Sequence, residues 1–168
     1  MVSNHLRNGR NGLRNQTIFL LSVKSGLRAK EISQLSWKEV CNSDGEVDTQ
    51  INLTNQTSKG NSGRVIPLHK SVRENPIELL ETHKKYRAFN ISTSFIVRTE
   101  RSPFTTSQTI INMFQKWYQT LGLIGCSSHS GRRTFITETS KKISLVGGSL
   151  RDIQMMAGHS SLQTTQRC

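Results

Sequence analysis

Carboxylates are scarce and unevenly placed in this chain. Asp and Glu number 11 against 23 Lys and Arg, and none lies before Glu31, between Thr49 and Arg73, or between Arg101 and Thr137. Hard divalent cations need clustered carboxylate oxygens, so a two-metal nuclease centre is excluded and any phosphoryl chemistry is expected to be metal-free. Cysteine is sparse too. Cys41, Cys126 and Cys168 are odd in number, widely separated and in no Cys-x-x-Cys pair, which supports neither a disulfide framework nor a zinc site. Long apolar runs are missing. The longest, Ile18 to Leu21, is far too short to span a bilayer, and the Arg-bearing start has no apolar stretch of the kind a signal peptide needs. The expectation is a cytoplasmic protein with no membrane partner and no cofactor.

What is present is positive charge. The balance is +12 over 168 residues, a length suited to one domain with a real core. Such an excess points to nucleic acid before an anionic membrane surface.

Residues 1–12, MVSNHLRNGRNG, carry Arg7 and Arg10 among Asn and Gly and are expected to be a flexible basic arm. Apolar spacing predicts a helix over 13–25, with Ile18 and Leu21 inward and Gly26 as its stop. A second helix is expected over 29–35, burying Ile32 and Leu35, with Arg28 at its N-terminal edge and Glu31 one turn along. Two readings of that pair are open. It is an ordinary surface ion pair, contributing about 0–1 kcal/mol, or Glu31 orients a guanidinium whose planar fork suits a phosphate.

Trp37 to Cys41 is expected to be a short strand. Residues 50–53 and 64–68 alternate on either side of the polar loop TNQTSKGNSG, which predicts a hairpin with a long mobile tip. Lys59 lies in that tip, where it is either solvated or able to close over a phosphate as a proton donor. Asn75, Pro76 and Glu78 suggest a helix start, with capping residue, N1 proline and N3 acid together, running to about residue 87. A helix over 107–121 has Ile110, Phe114, Trp117 and Leu121 on one face and Gly122 as its stop.

The C-terminal stretch concentrates His129, Arg132, Arg133 and His159 with only Glu138 and Asp152 as acids. If 132–143 is helical, His129 sits just before its first turn and Arg132 projects from that turn, where free backbone N–H groups favour negative charge. Ser149 with Asp152 fits a capping box, and Gly158 supplies a left-handed stop. His159 follows at a fixed corner, and a short helix from Ser160 or Ser161 leads to Cys168.

Taken in order, SGLRAKEISQLSW, TSKGNSGRVIPL, HSGRRTFIT and LRDIQMMAGHSSLQTTQRC resemble the catalytic domain of tyrosine recombinases, the phage-integrase family. The resemblance runs from about residue 13 to the end. It implies a mixed fold, mainly α with a small antiparallel hairpin, acting on double-stranded DNA with other recombinase subunits. It also implies that Arg28 and Arg132 grip the scissile phosphate, that Lys59 protonates the leaving 5′ oxygen, and that His129 and His159 donate hydrogen bonds or assist proton transfer. Glu31 would support the first arginine, and Arg28, Lys59, Arg64, Arg132 and Arg133 would contact DNA. A tyrosine would attack to form a 3′-phosphotyrosyl bond without metal or ATP.

The chain departs from the family at the nucleophile, where Cys168 stands. Cysteine is shorter by an aromatic ring, so its sulfur is expected to fall short of an attack geometry set for a phenol oxygen, and strand cleavage is expected to be weak or absent. An N-terminal core-binding domain, usual in the family, is expected to be absent. Three rivals remain: a DNA-binding regulator using residues 149–167 as a helix-turn-helix with Ser161, Gln163 and Gln166 toward bases, a type IB topoisomerase-like enzyme, and a remnant that interferes with an intact recombinase.

Overall fold

The computed structural model describes residues 2–58 and 63–166. The chain is mainly helical with one two-stranded antiparallel sheet, as the resemblance implies. Helix α1 (Val2–Arg7) stands where a flexible arm is expected. Leu6 is buried, Arg7 bonds both oxygens of Glu78 at 2.6–2.7 Å, and Arg10 bonds Glu100 at 2.7 and 3.1 Å. Partners distant in sequence thus organise a stretch whose composition suggests a loop. Gly12 permits the tight corner, because a Cβ there would lie 1.9 Å from the Arg7 carbonyl oxygen.

Helix α2 (Gly12–Ser25) buries Ile18 and Leu21 and closes on Gly26, whose φ of 66° suits a residue without Cβ. Leu27, fully buried, turns the chain into α3 (Ala29–Gln34). The strand expected over 37–41 is instead a 3-10 turn, Trp37–Glu39, closed by a capping box between Ser36 and Glu39. Burial of Trp37 decides this: its indole N–H donates to His83 Nδ1 at 3.0 Å, inside the core.

Strands β1 (Gln50–Leu53) and β2 (Arg64–Pro67) pair antiparallel with Ile51 opposite Ile66. Helix α4 (Lys70–Lys84) begins before the expected Asn75-Pro76 start, and Pro76 falls inside it. His69 caps this helix by accepting from the Ser71 N–H, and Val72, fully buried, needs the helical face. Burial outweighs the hydrogen bond that a proline removes. Helix α5 (Ser107–Thr120) buries Ile110, Phe114 and Tyr118.

Helix α6 (Ser130–Ile143) leads through a 3-10 turn (Ser144–Val146) to α7 (Leu150–Ala157) and α8 (Leu162–Gln166). The Ser149–Asp152 capping box and the left-handed Gly158 (φ 59°) are present. A main core runs through α2, α3, β1, β2, α4 and α5, while Ile136, Ile153 and Ala157 form a smaller one beneath α6 and α7. Helix α2 packs on α6, and α7 touches β2, α6 and α8. The junction of the two cores therefore brings the α2–α3 corner, the start of β2, the start of α6 and the end of α7 together. Among the described residues no helix is long and apolar enough to cross a membrane.

Candidate functional site

Cationic side chains converge at that junction. Arg28, N-cap of α3, donates from Nη1 to Glu31 Oε1 at 3.0 Å and from Nη2 to the Gly158 carbonyl at 3.0 Å, while its backbone N–H meets Glu31 Oε2 at 2.8 Å. Glu31 is fully buried and also receives Arg64, whose Nη1 and Nη2 reach Oε1 and Oε2 at 2.9 and 3.0 Å. The Arg64 Nε–H donates to the Met156 carbonyl at 2.7 Å. Burial pushes the Glu31 carboxyl up, but the hydrogen bonds and charge of Arg64, then those of Arg28, outweigh it, and the group titrates below the usual carboxylate range. It is a carboxylate at neutral pH.

Arg132 occupies the first turn of α6 and is buried. Its guanidinium donates to the Gly26 carbonyl at 2.6 Å and to the Ala157 carbonyl. Both acceptors lie at helix C-termini, those of α2 and α7, the negative poles of their backbone dipoles. Two helix ends thus fix the height and direction of this side chain.

Gly158 turns the chain so that His159 packs back toward the arginines. Its Nδ1 lies 3.0 Å from the Thr165 hydroxyl of α8. Partial burial, followed by the charges of Arg132, Arg28 and Arg64, pushes the imidazole down to about 4, so the ring is neutral at pH 7. Where the hydroxyl donates to Nδ1, the ring proton sits on Nε2. A cleft of about 740 Å³ opens here, lined by Arg28, Arg64, Gly158, His159, Ser160 and Thr164 among others. A dianion or phosphodiester placed in it would meet fixed positive charge and neutral donors.

The structure therefore gathers Arg28, Glu31, Arg64, Arg132 and His159 in one place. His129, immediately before α6, and Arg133 in its first turn are exposed. Lys59 and Cys168 lie outside the described residues. Arg64, expected to contact DNA, has a side chain only 6% exposed, and the bonds to Glu31 and Met156 engage each of its nitrogens. The strand pattern carries a signal for this: Arg64 shares a face with buried Ile66. No comparable signal marks the carbonyls of Gly26, Met156 and Ala157, because every residue carries one.

The family model described as "Phage integrase family" matches residues 2–167. The chain is 27% identical over 155 residues to the tyrosine recombinase XerC of Chlamydia muridarum, an alignment covering 92% of this chain and 45% of that protein. It thus spans about half the length of the curated relatives it matches. The crystal structure of XerA recombinase superposes with a TM-score of 0.77 at 20% identity, over 98% of this chain and 56% of that one. A structure of XerH site-specific recombinase bound to a palindromic difH substrate gives a TM-score of 0.76 at 20% identity, over 99% and 45%.

Proposed function

The chain belongs to the phage integrase family, and on that premise we propose that it is the catalytic domain of a tyrosine-type site-specific DNA recombinase, acting in DNA integration and recombination. Its substrate is double-stranded DNA, cut and rejoined in the cytoplasm with other recombinase subunits on the same DNA. The observation that carries this reading is the gathering of Arg28, Arg132 and the neutral His159 at one junction, with Arg28 and His159 lining the cleft and Arg132 buried against the Gly26 and Ala157 carbonyls.

The roles are those that the family resemblance implies. Arg28 and Arg132 grip the non-bridging oxygens and stabilise the charge that grows on the phosphoryl group in the transition state. His159 donates from Nε2 to the same oxygens, and His129, exposed just before α6, is the second histidine of the set. With a tyrosine at the nucleophile position, the phenol oxygen attacks phosphorus and passes its proton to a histidine of the site, the P–O5′ bond breaks, and Lys59 gives a proton to the departing 5′ oxygen. The 3′-phosphoryl stays covalently bound, which conserves the phosphodiester for rejoining.

Cys168 occupies the nucleophile's place in the sequence. A thiolate is a competent nucleophile, with an ordinary pKa near about 8.5, but one aromatic ring of reach is lost. The chain as it stands is therefore a crippled recombinase, and that same cysteine favours a second reading in which it binds DNA and interferes with an intact relative. The helix-turn-helix alternative has less support, since the buried Thr165 of α8 bonds His159.

The test compares the chain with C168Y on supercoiled DNA, scoring SDS-resistant protein–DNA adducts and topoisomers. Adducts with C168Y alone are expected. Adducts with neither protein would overturn the recombinase reading, and relaxation without strand exchange would favour a topoisomerase.

A further inference from the structure

Glu31 has two guanidinium partners of different kinds. Arg28 is its neighbour at the N-cap of α3, partly exposed at 23%, and its side chain meets the carboxylate through one nitrogen, beside the bond from its backbone N–H. Arg64 arrives from β2, is 6% exposed, and covers both oxygens. A fully buried carboxylate is costly without such bonding, and the second partner supplies two of its four hydrogen bonds. The Arg64 Nε–H adds the Met156 carbonyl in the last turn of α7. Its Nη1 also packs so closely on Gly158 that a Cβ there would lie 2.9 Å away. One side chain therefore ties β2, α3 and the α7 terminus into a fixed triangle. Arg28 depends on two corners of it, since its acceptors are Glu31 and the Gly158 carbonyl.

We propose that Arg64 is a positioning residue for the phosphate-gripping site: it holds Glu31 and the Gly158 turn so that Arg28 presents its guanidinium to the cleft at one angle. The inference rests on the recombinase reading for its catalytic consequence. In this role Arg64 acts through Arg28 and not through a contact of its own with DNA. A lysine in its place keeps the charge but reaches the carboxylate as a point donor, without the planar fork. Glu31 then loses one bond and the Met156 carbonyl loses another. Arg28 gains a range of orientations, and a displacement of about 1 Å at a transition-state contact can cost on the order of 100-fold in rate.

The experiment has two parts. In the C168Y background, R64K is compared with its parent on a nicked duplex that traps the covalent adduct, with adduct rate and duplex affinity both measured. The expected result is a fall in rate of tens of fold, up to about 100-fold, with affinity within about twofold and an unchanged far-UV spectrum. Equal rates would overturn the positioning role, and an affinity loss as large as the rate loss would make Arg64 a DNA-binding residue instead. A C168Y parent without adducts would fail the recombinase reading, not this one. The second part decides in either case, because it uses the unaltered Cys168 chain and no chemistry. The Arg28 Nε–Hε NMR signal is followed during titration with inorganic phosphate, with and without R64K. R64K is expected to shift and broaden that signal and weaken the phosphate response. A signal and titration identical to those of the unaltered chain would overturn the proposal.

Discussion

Arg132 Nη1 lies 2.6 Å from the carbonyl oxygen of Gly26, the left-handed cap of α2. That bond joins the first turn of α6 to the end of the helix it packs against, and a second from the same guanidinium reaches the end of α7. A residue proposed to stabilise a transition state is thus also a clamp between three helix termini.

Arg132→Ala should consequently do two things. It leaves the Gly26 and Ala157 carbonyls without this partner in a buried site, at a cost of about 2–4 kcal/mol in unfolding free energy. In C168Y it should also lower the adduct rate by about 10²–10³-fold, the loss typical of one oxyanion donor. Urea melts and single-turnover trapping separate the two effects. An unchanged urea midpoint would show that the clamp contributes nothing.

Stability should fall between pH 6.5 and 4. His83 is buried and pushed down to about 4, by burial first and then by the charge of Arg98, and its Nδ1 accepts the Trp37 indole proton. The unfolded chain, titrating near the ordinary 6.5, binds the proton that the folded chain refuses, so this stabilisation is complete above 6.5 and is lost as pH falls toward 4. For His83 the amount is on the order of 3 kcal/mol, and His159, partly exposed with the same downward shift, adds less. Urea midpoints across this range should slope steeply, and His83→Gln should flatten the slope. An unaltered slope would mean that His83 titrates normally.

DNA affinity should depend on salt. Arg133 is exposed and Arg28 partly so, and about three to four phosphate contacts would weaken binding roughly 40- to 150-fold between about 50 and 200 mM salt. Arg133→Ala should reduce the log–log slope by about one if it meets a phosphate. A flat salt dependence in the unaltered chain would count against a phosphate-gripping surface.

Local rules explain what was legible beforehand. The stops at Gly26 and Gly158, the Ser149–Asp152 box and the pairing of 50–53 with 64–67 depend on residues near one another in sequence. Where expectation and fold part, a distant partner has overridden local preference. Glu78 and Glu100 organise the first residues, His83 draws Trp37 out of a strand, and the core claims Val72 and so starts α4 before Pro76. The site divides in the same way. Arg28, Glu31, Arg132 and His159 are readable as a spaced set, whereas the Arg64–Glu31 pair spans 33 positions and the clamp on Arg132 uses backbone carbonyls that no sequence pattern distinguishes.

Gly131 offers a sharper test of the α2–α6 contact that carries Arg132. A Cβ added there would lie 2.4 Å from Ser22 Oγ and 3.1 Å from both Ser22 Cβ and Val23 Cγ2. Alanine gains about 1 kcal/mol in helix propensity over glycine, but overpacking of this kind costs about 1–3 kcal/mol, and the collision lies one residue from Arg132. Gly131→Ala is therefore expected to destabilise the chain and, in C168Y, to slow adduct formation by moving α6 off α2. Ser22 is the compensating position, because its hydroxyl is fully buried without a hydrogen-bond partner and removing it leaves no donor or acceptor orphaned. Ser22→Gly clears the nearest two atoms, and in the double variant both stability and rate should recover, with a coupling of at least about 1 kcal/mol in the double-mutant cycle. Strict additivity would mean that the two helices adjust independently and that Arg132 is held by its carbonyls alone.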